Sequence, residues 1–179
     1  MSASETPSGY QDIAEKGFIK WCLDYGFEPI IRCFLSIPEA RLYSRMGELN
    51  PAIWIFGHIA VNEEKLMRRF ARDIRELTCP YPCTMFEGSA TTSEQQLREI
   101  EISREELVEY WRKVRADTHA FLESLTGHQL AAPAEKSTVP ADAPNRGNPI
   151  REFFIMAIQN QYIHYGHLDA ISRLDTIAG

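Results

Sequence analysis

The sequence predicts an all-α protein, a four-helix bundle, and three observations carry that prediction. Four long segments repeat apolar residues at spacings of three and four. Helix punctuation marks three of their starts. Alternating strand patterns and hairpin turn pairs are nearly absent. A chain of 179 residues with 44 % apolar composition can bury one sizeable core, so 1–179 reads as a single domain.

The first helix runs from about Gln11 and carries Phe18, Trp21, Cys22 and Tyr25 on one face. Pro29 should kink it or end it, before a second piece reaching roughly Leu35. The second helix runs from Pro51 to about Glu76, and the fourth from Pro149 to about Asp175. Both start with the pair Asn-Pro, at Asn50-Pro51 and Asn148-Pro149. An asparagine N-cap can accept from an orphan backbone N–H, and a proline at the first helical position has no N–H to leave unpaired. The third helix begins at Ser103-Arg104-Glu105-Glu106, which fits a capping box. Its stripe of Leu107, Trp111, Val114, Thr118, Phe121 and Leu125 is the cleanest in the chain, and Gly127 is its natural C-cap. Two long connections remain, roughly Leu77 to Ile102 and roughly His128 to Gly147. The second, with Pro133, Pro140 and Pro144, reads as an irregular surface loop.

Composition excludes several function classes. The net charge is −6 and the basic residues do not cluster. Arg68, Arg69 and Arg72 come closest, but Glu63, Glu64 and Asp73 lie beside them, so this stretch reads as a solvated, mildly acidic surface. Nucleic acid is therefore not an expected partner. The amino terminus lacks the pattern of a secretion or transit signal, and the apolar runs are far too short for a membrane span. A soluble cytoplasmic protein without a membrane partner is expected. Of the four cysteines, Cys22 and Cys33 read as small core residues. The segment Cys79-Pro80-Tyr81-Pro82-Cys83 lacks the second pair or spaced histidines of a structural zinc site. A cytosolic chain also gives little reason to expect a disulfide.

The histidines hold the chemistry. Stepping 100° per residue along the fourth helix from Asn160 puts Phe153, Ala157, His164, His167 and Ile171 within about 60° of it. Arg151, Asp169 and Arg173 fall opposite. Two histidines and an asparagine thus occupy the stripe that should face the core, where buried imidazole and amide groups need partners. On the second helix, His58 shares a face with Trp54, Ile55, Asn62 and Leu66. His58 lies about 12 Å along its helix and His164 about 24 Å along its own, each helix being near 40 Å long. Antiparallel helices bring the two histidines within about 4 Å in height, and parallel ones leave about 12 Å. Only the antiparallel arrangement lets them meet. His119 and His128 read as edge or surface residues. The trio of His58, His164 and His167 is either a satisfied polar cluster or a metal site, and spacing alone does not choose.

The stretch from Asn50 to Ala60, with Trp54 four residues before His58, resembles the second helix of the DinB-like superfamily, which includes the YfiT-type metal-dependent hydrolases. The stretch His164-Tyr165-Gly166-His167-Leu168-Asp169-Ala170-Ile171 is similar to that family's fourth-helix signature. The resemblance spans nearly the whole chain. It implies an up-down-down-up bundle with a long crossover between helices 2 and 3. It further implies a divalent metal such as nickel or zinc held by three residues, and a homodimer. Characterised relatives include S-transferases and isomerases that use a low-molecular-weight thiol. The family's third ligand, histidine or glutamate, sits four residues before the fourth-helix histidine, where this chain has Asn160. A neutral amide is a poor ligand for these metals. His167 supplies the missing ligand, or the site is weak, or it is empty.

The leading expectation is a metal-dependent enzyme acting on a small molecule, with His58 and His164 holding the metal and His167 or Asn160 completing or supporting the site. Thiol transfer is the preferred chemistry and hydrolysis the second. The alternative is a metal-free bundle whose polar cluster lines a small-molecule pocket without catalysis; Asn160 favours it.

Overall fold

The computed structural model describes residues 8–88, 92–134 and 147–177. Among these the chain is mostly helical, with no strand, so the all-α class holds. The elements are α1 (Ser8–Ser36), α2 (Glu39–Leu42), α3 (Ala52–Glu64), α4 (Glu94–Glu99), α5 (Arg104–Ser124), α6 (Gly127–Ala131) and α7 (Ile150–Ile177). A π-helical turn, Lys65–Phe70, extends α3, and a 3-10 turn, Cys83–Phe86, lies in the connection that follows. None of the described helices is long and apolar enough to cross a membrane.

Paired contacts give the directions of the four long helices. Asp24 meets His119 at 3.0 Å and Glu28 meets Arg112 at 3.8 Å, so α1 and α5 run oppositely. Phe56 packs on Trp111 and Glu63 on Arg115, so α3 and α5 run the same way. Phe70 meets Phe153 while His58 meets His164, which makes α3 and α7 antiparallel, as the heights of the histidines require. Glu15 pairs with Arg151 and the Cys22 carbonyl with Tyr162, so α1 and α7 run together. The core lies between these helices, and α3 is buried on nearly every side.

Several elements depart from the sequence expectation. Pro29 neither ends nor divides α1, which continues to Ser36. The carbonyl it strips of a partner belongs to Tyr25, whose residue faces solvent. The face carrying Phe18, Trp21 and Tyr25 is exposed, at 65, 57 and 65 %. The core stripe of α1 is instead Ile19, Leu23, Gly26, Ile30 and Phe34. The second helix stops short of Glu76: Asp73 turns left-handed at φ 57°, and the Ile74 N–H reaches back to the Arg68 carbonyl at 2.7 Å. Glu63 and Glu64 are not surface charges; each is 2 % exposed.

The caps also shift. Pro51 sits one residue earlier than expected, at the N-cap, and the Asn50 side chain makes no cap bond. Ser103 caps α5 as expected by accepting from the Glu106 N–H at 3.1 Å. The box closes through another residue, however. The Ser103 N–H donates to the Tyr81 hydroxyl at 2.8 Å, and that hydroxyl donates to the Glu106 carboxylate. Gly127 does not end α5. It opens α6, because Thr126 and Gln129 form a capping box of their own. Pro140 and Pro144 lie outside the described residues.

Candidate metal site between helices α3 and α7

The site is built from one turn of α3 and two turns of α7. Trp54 and His58 are stacked, with ring centroids 4.8 Å apart, because they lie one turn apart on α3. The 3-10 turn crosses above them and presents two consecutive carbonyls. Trp54 Nε1–H donates to the Met85 carbonyl at 2.7 Å, and His58 Nδ1 meets the Phe86 carbonyl at 2.6 Å. Gly57 makes this approach possible. A Cβ at that position would overlap the Phe86 ring.

The Phe86 contact fixes the tautomer of His58. A carbonyl only accepts, so Nδ1 carries the proton and Nε2 carries the lone pair. That lone pair faces the Asn160 amide, whose Nδ2 lies 3.2 Å away. Asn160 Oδ1 is buried and has no hydrogen-bond partner. His164 approaches the same ring from the next turn of α7, with centroids 4.8 Å apart. His167 follows one turn later, its Nδ1 lying 3.3 Å from His164 Nδ1. All four residues named from the sequence are therefore brought together, half-buried, between α3 and α7.

Their electrostatics favour neutral rings. Burial lowers the pKa of His58 against the opposing pull of the Phe86 hydrogen bond. His164 is held down to about 4, first by burial and then by repulsion from His58 and His167. Neutral imidazole is the form that metal binding needs.

The donor set fits a metal only in part. An orphaned buried oxygen at Asn160 and a lone pair at His58 Nε2 are what a cation would use. The amide of Asn160, however, already occupies that lone pair. Among the described residues, no group of three His, Cys, Asp or Glu side chains is arranged to hold a metal ion. His119, half-buried beside Asp24, and His128, exposed on α6, stand apart from the cluster.

A second polar cluster, unforeseen from the sequence, joins α3, α5 and α7, starting little more than a turn past His58 on α3. Glu63 accepts from Arg115 at 2.8 Å and from Trp111 Nε1 at 2.8 Å. Arg115 also donates to Gln161 Oε1 at 2.7 Å and to the Leu23 carbonyl. Burial would raise the Glu63 pKa, but the Arg115 charge and these hydrogen bonds outweigh it and hold the carboxyl below its ordinary range. Glu64 accepts from Tyr110 at 2.6 Å and from the Thr78 N–H and hydroxyl. The one sequence hint was the position of Glu63 and Gln161 among apolar helical residues.

An all-helical chain with a histidine cluster between its second and last long helices matches a known family model. Residues 31–168 match the model described as the DinB superfamily, a span that includes every residue of the cluster. The chain belongs to the DinB superfamily. No curated protein and no solved structure gives a significant match to it.

Proposed function

We propose that this chain is a divalent-metal-dependent enzyme of the DinB superfamily, with His58 and His164 holding zinc or nickel. The observation that carries the reading is the His58–Phe86 hydrogen bond. It aims a proton-free Nε2 at the gap shared with Asn160 and His164, and a ligand histidine characteristically donates its other N–H to such a carbonyl. For His164 to bind through Nε2, its Nδ1–H must donate to His167. His167 then orients His164 rather than acting as a third ligand. Asn160 completes the set weakly, by turning its amide oxygen inward.

A metal bound there would lower the pKa of a water or thiol at an open position. The chain's own residues would set the geometry: Phe86 orients His58, His167 orients His164, and Trp54 covers one ring face. Transfer of a low-molecular-weight thiol to a small electrophilic substrate is the preferred reaction, with hydrolysis second; both rest on family analogy. We place the four long helices in the family's up-down-down-up bundle, a cytoplasmic homodimer. The exposed stripe of Phe18, Trp21 and Tyr25 is apolar surface that such an interface would bury.

A second reading has its own support. The amide of Asn160 closes on His58 without a metal, which suits a catalytically inert pocket for a small molecule. Metal analysis of untagged protein separates the two. Stoichiometric zinc or nickel supports the enzyme. Its absence, even after incubation with either ion, refutes the enzyme and leaves the pocket.

A further inference from the structure

The helix that carries His58 carries further polar groups in line with it. Most of α3 and its π-helical extension is buried, and the residues left partly open are His58, Asn62, Lys65, Arg68, Arg69 and Phe70. Arg68 turns toward Glu64, at 3.7 Å, and Phe70 toward Phe153. The other four recur at spacings of four, three and four, so they form one strip along the helix. The strip lies between α7, which brings Asn160 to His58, and the 3-10 turn, which brings the Phe86 carbonyl.

Glu87, the next residue after Phe86, reaches the far end of this strip. Its carboxylate meets Lys65 Nζ at 3.2 Å and the Arg69 guanidinium at 3.8 Å, both through the same oxygen, Oε1. Side-chain exposures of 25, 33 and 29 % for Lys65, Arg69 and Glu87 put the three in a groove rather than on open surface. Two cations around one carboxylate leave a positive charge in excess, in a chain whose net charge is −6. Ion pairs still in touch with water are weak, and Glu87 needs only a side-chain rotation to leave.

We propose that Lys65 and Arg69 are the anion seat of the histidine site, which therefore takes small organic acids. Glu87 fills the seat until the carboxylate of such a molecule displaces it. This rests on the reading of the histidines as the reactive centre. Lys65 lies seven residues from His58, about 10 Å along the helix. The carboxylate of the acid and the atom that reacts at the histidines are separated by roughly that distance, with Asn62 between them. A planar guanidinium and a compact ammonium converging on one oxygen suit a carboxylate, and Glu87 Oε1 marks where that oxygen sits.

The test uses the full chain in two states. With a chelator present, hexanoate is titrated and followed by NMR at the backbone amides of Lys65 and Glu87, where saturable shifts are expected. Glu87→Gln should tighten hexanoate binding about tenfold, because the competing carboxylate is gone, and Lys65→Gln should weaken it by about as much. A bridge that merely holds the crossover would respond alike to both changes, since each breaks the same ion pair. Loaded with zinc, the chain should bind 6-mercaptohexanoate about tenfold tighter than 6-mercaptohexanol, and Lys65→Gln should erase that preference. Three results would overturn the proposal: no saturable shift in wild type or Glu87→Gln, variants that move affinity the same way, or no preference for the acid over the alcohol. A chain that takes up no zinc yet binds hexanoate with opposite variant effects keeps the seat and refutes the metal reading instead. If Lys65→Gln folds poorly, Glu87→Gln and the wild-type preference still decide.

Discussion

Two polar clusters share helix α3, where His58 and Glu63 lie little more than a turn apart, and they are built on opposite terms. The upper one, with His58, joins α3 to α7; the lower one, with Glu63, joins α3 to α5 and α7 through Arg115. Around Glu63, Arg115 and Gln161 the charges are paired in a water-free setting, with exposures of 2, 3 and 0 %. Around His58, Asn160 and His164 the groups are half-exposed, two rings resist protonation, and one buried amide oxygen has no partner. Buried polar groups are normally satisfied, so a closed network fixes the packing, while an incomplete one marks a place where something binds. Under the function proposed above, the lower cluster holds the packing and the upper one is the site.

Breaking the lower cluster tests the first half of that claim, and the largest effect is expected there. Arg115→Met leaves the Glu63 carboxylate buried without its charge partner. Urea unfolding should show a loss of about 3–5 kcal/mol. The double variant Glu63→Leu with Arg115→Met removes both charges and should recover much of that loss, because a buried pair is itself costly to desolvate. A mild effect of Arg115→Met alone would remove the contrast between the clusters.

Asn160 is where the upper cluster can be sharpened. Asn160→His puts a third imidazole beside His58 and His164 and should tighten zinc or nickel binding about tenfold or more. Adding His167→Ala should leave most of that gain, since His167 faces His164 Nδ1 rather than His58. Titration calorimetry on wild type, single and double variants measures both. If Asn160→His binds no better, the ligand register is wrong. If the gain disappears with His167, that residue is the third ligand.

The comparison also shows what the sequence could carry. The α5 stripe was legible because polar residues fill its other side: Leu107, Trp111, Val114, Thr118 and Leu125 are buried and Phe121 half-buried. The histidine face was legible for a similar reason, but period and length bring His58 level with His164 only if their helices run antiparallel, a direction that the family resemblance implied and the residues alone left open. On α1 two stripes compete at helical spacing, and the aromatic one is the exposed one; only tertiary packing chooses between them. Glu63 and Glu64 were misread because a charge looks the same in sequence whether solvated or paired across the core. The Phe86 carbonyl belongs to the crossover, and a backbone group brought from 28 residues away leaves no pattern in side-chain type, so nothing in the sequence said why Gly57 on α3 must lack a side chain.

Gly57 gives an effect of similar size that tests how the upper cluster is held. Gly57→Ala drives a methyl into the Phe86 ring, so Phe86 must move and its carbonyl must leave His58. The overpacking should cost about 1–3 kcal/mol by urea unfolding. Metal affinity measured on the same variant should fall as well, through the lost orientation of His58. Undiminished affinity would show that Phe86 does not position the ligand.

The smallest expected effect is a pH dependence confined to the upper cluster. His164 has a folded pKa of about 4 against an ordinary value of 6.5, so the folded state binds its proton less readily than the unfolded state. Above about pH 6.5 both states are neutral at this ring, and the contribution to stability is fully present. As pH falls from there toward 4 the unfolded chain takes up the proton first, and stability declines. Below 4 both states are protonated and the decline from this group stops. The full shift would correspond to about 3 kcal/mol, and solvent reaching the half-buried ring reduces it to roughly 1–2 kcal/mol. Urea unfolding of chelator-treated protein between pH 7 and 4 should show that loss, and His164→Asn should flatten it, leaving the slope contributed by the carboxylates. A slope unchanged in His164→Asn would mean that this ring is as well solvated as any surface histidine. The upper cluster would then be no more strained than the lower, and the case for an open site would have to rest on Asn160 alone.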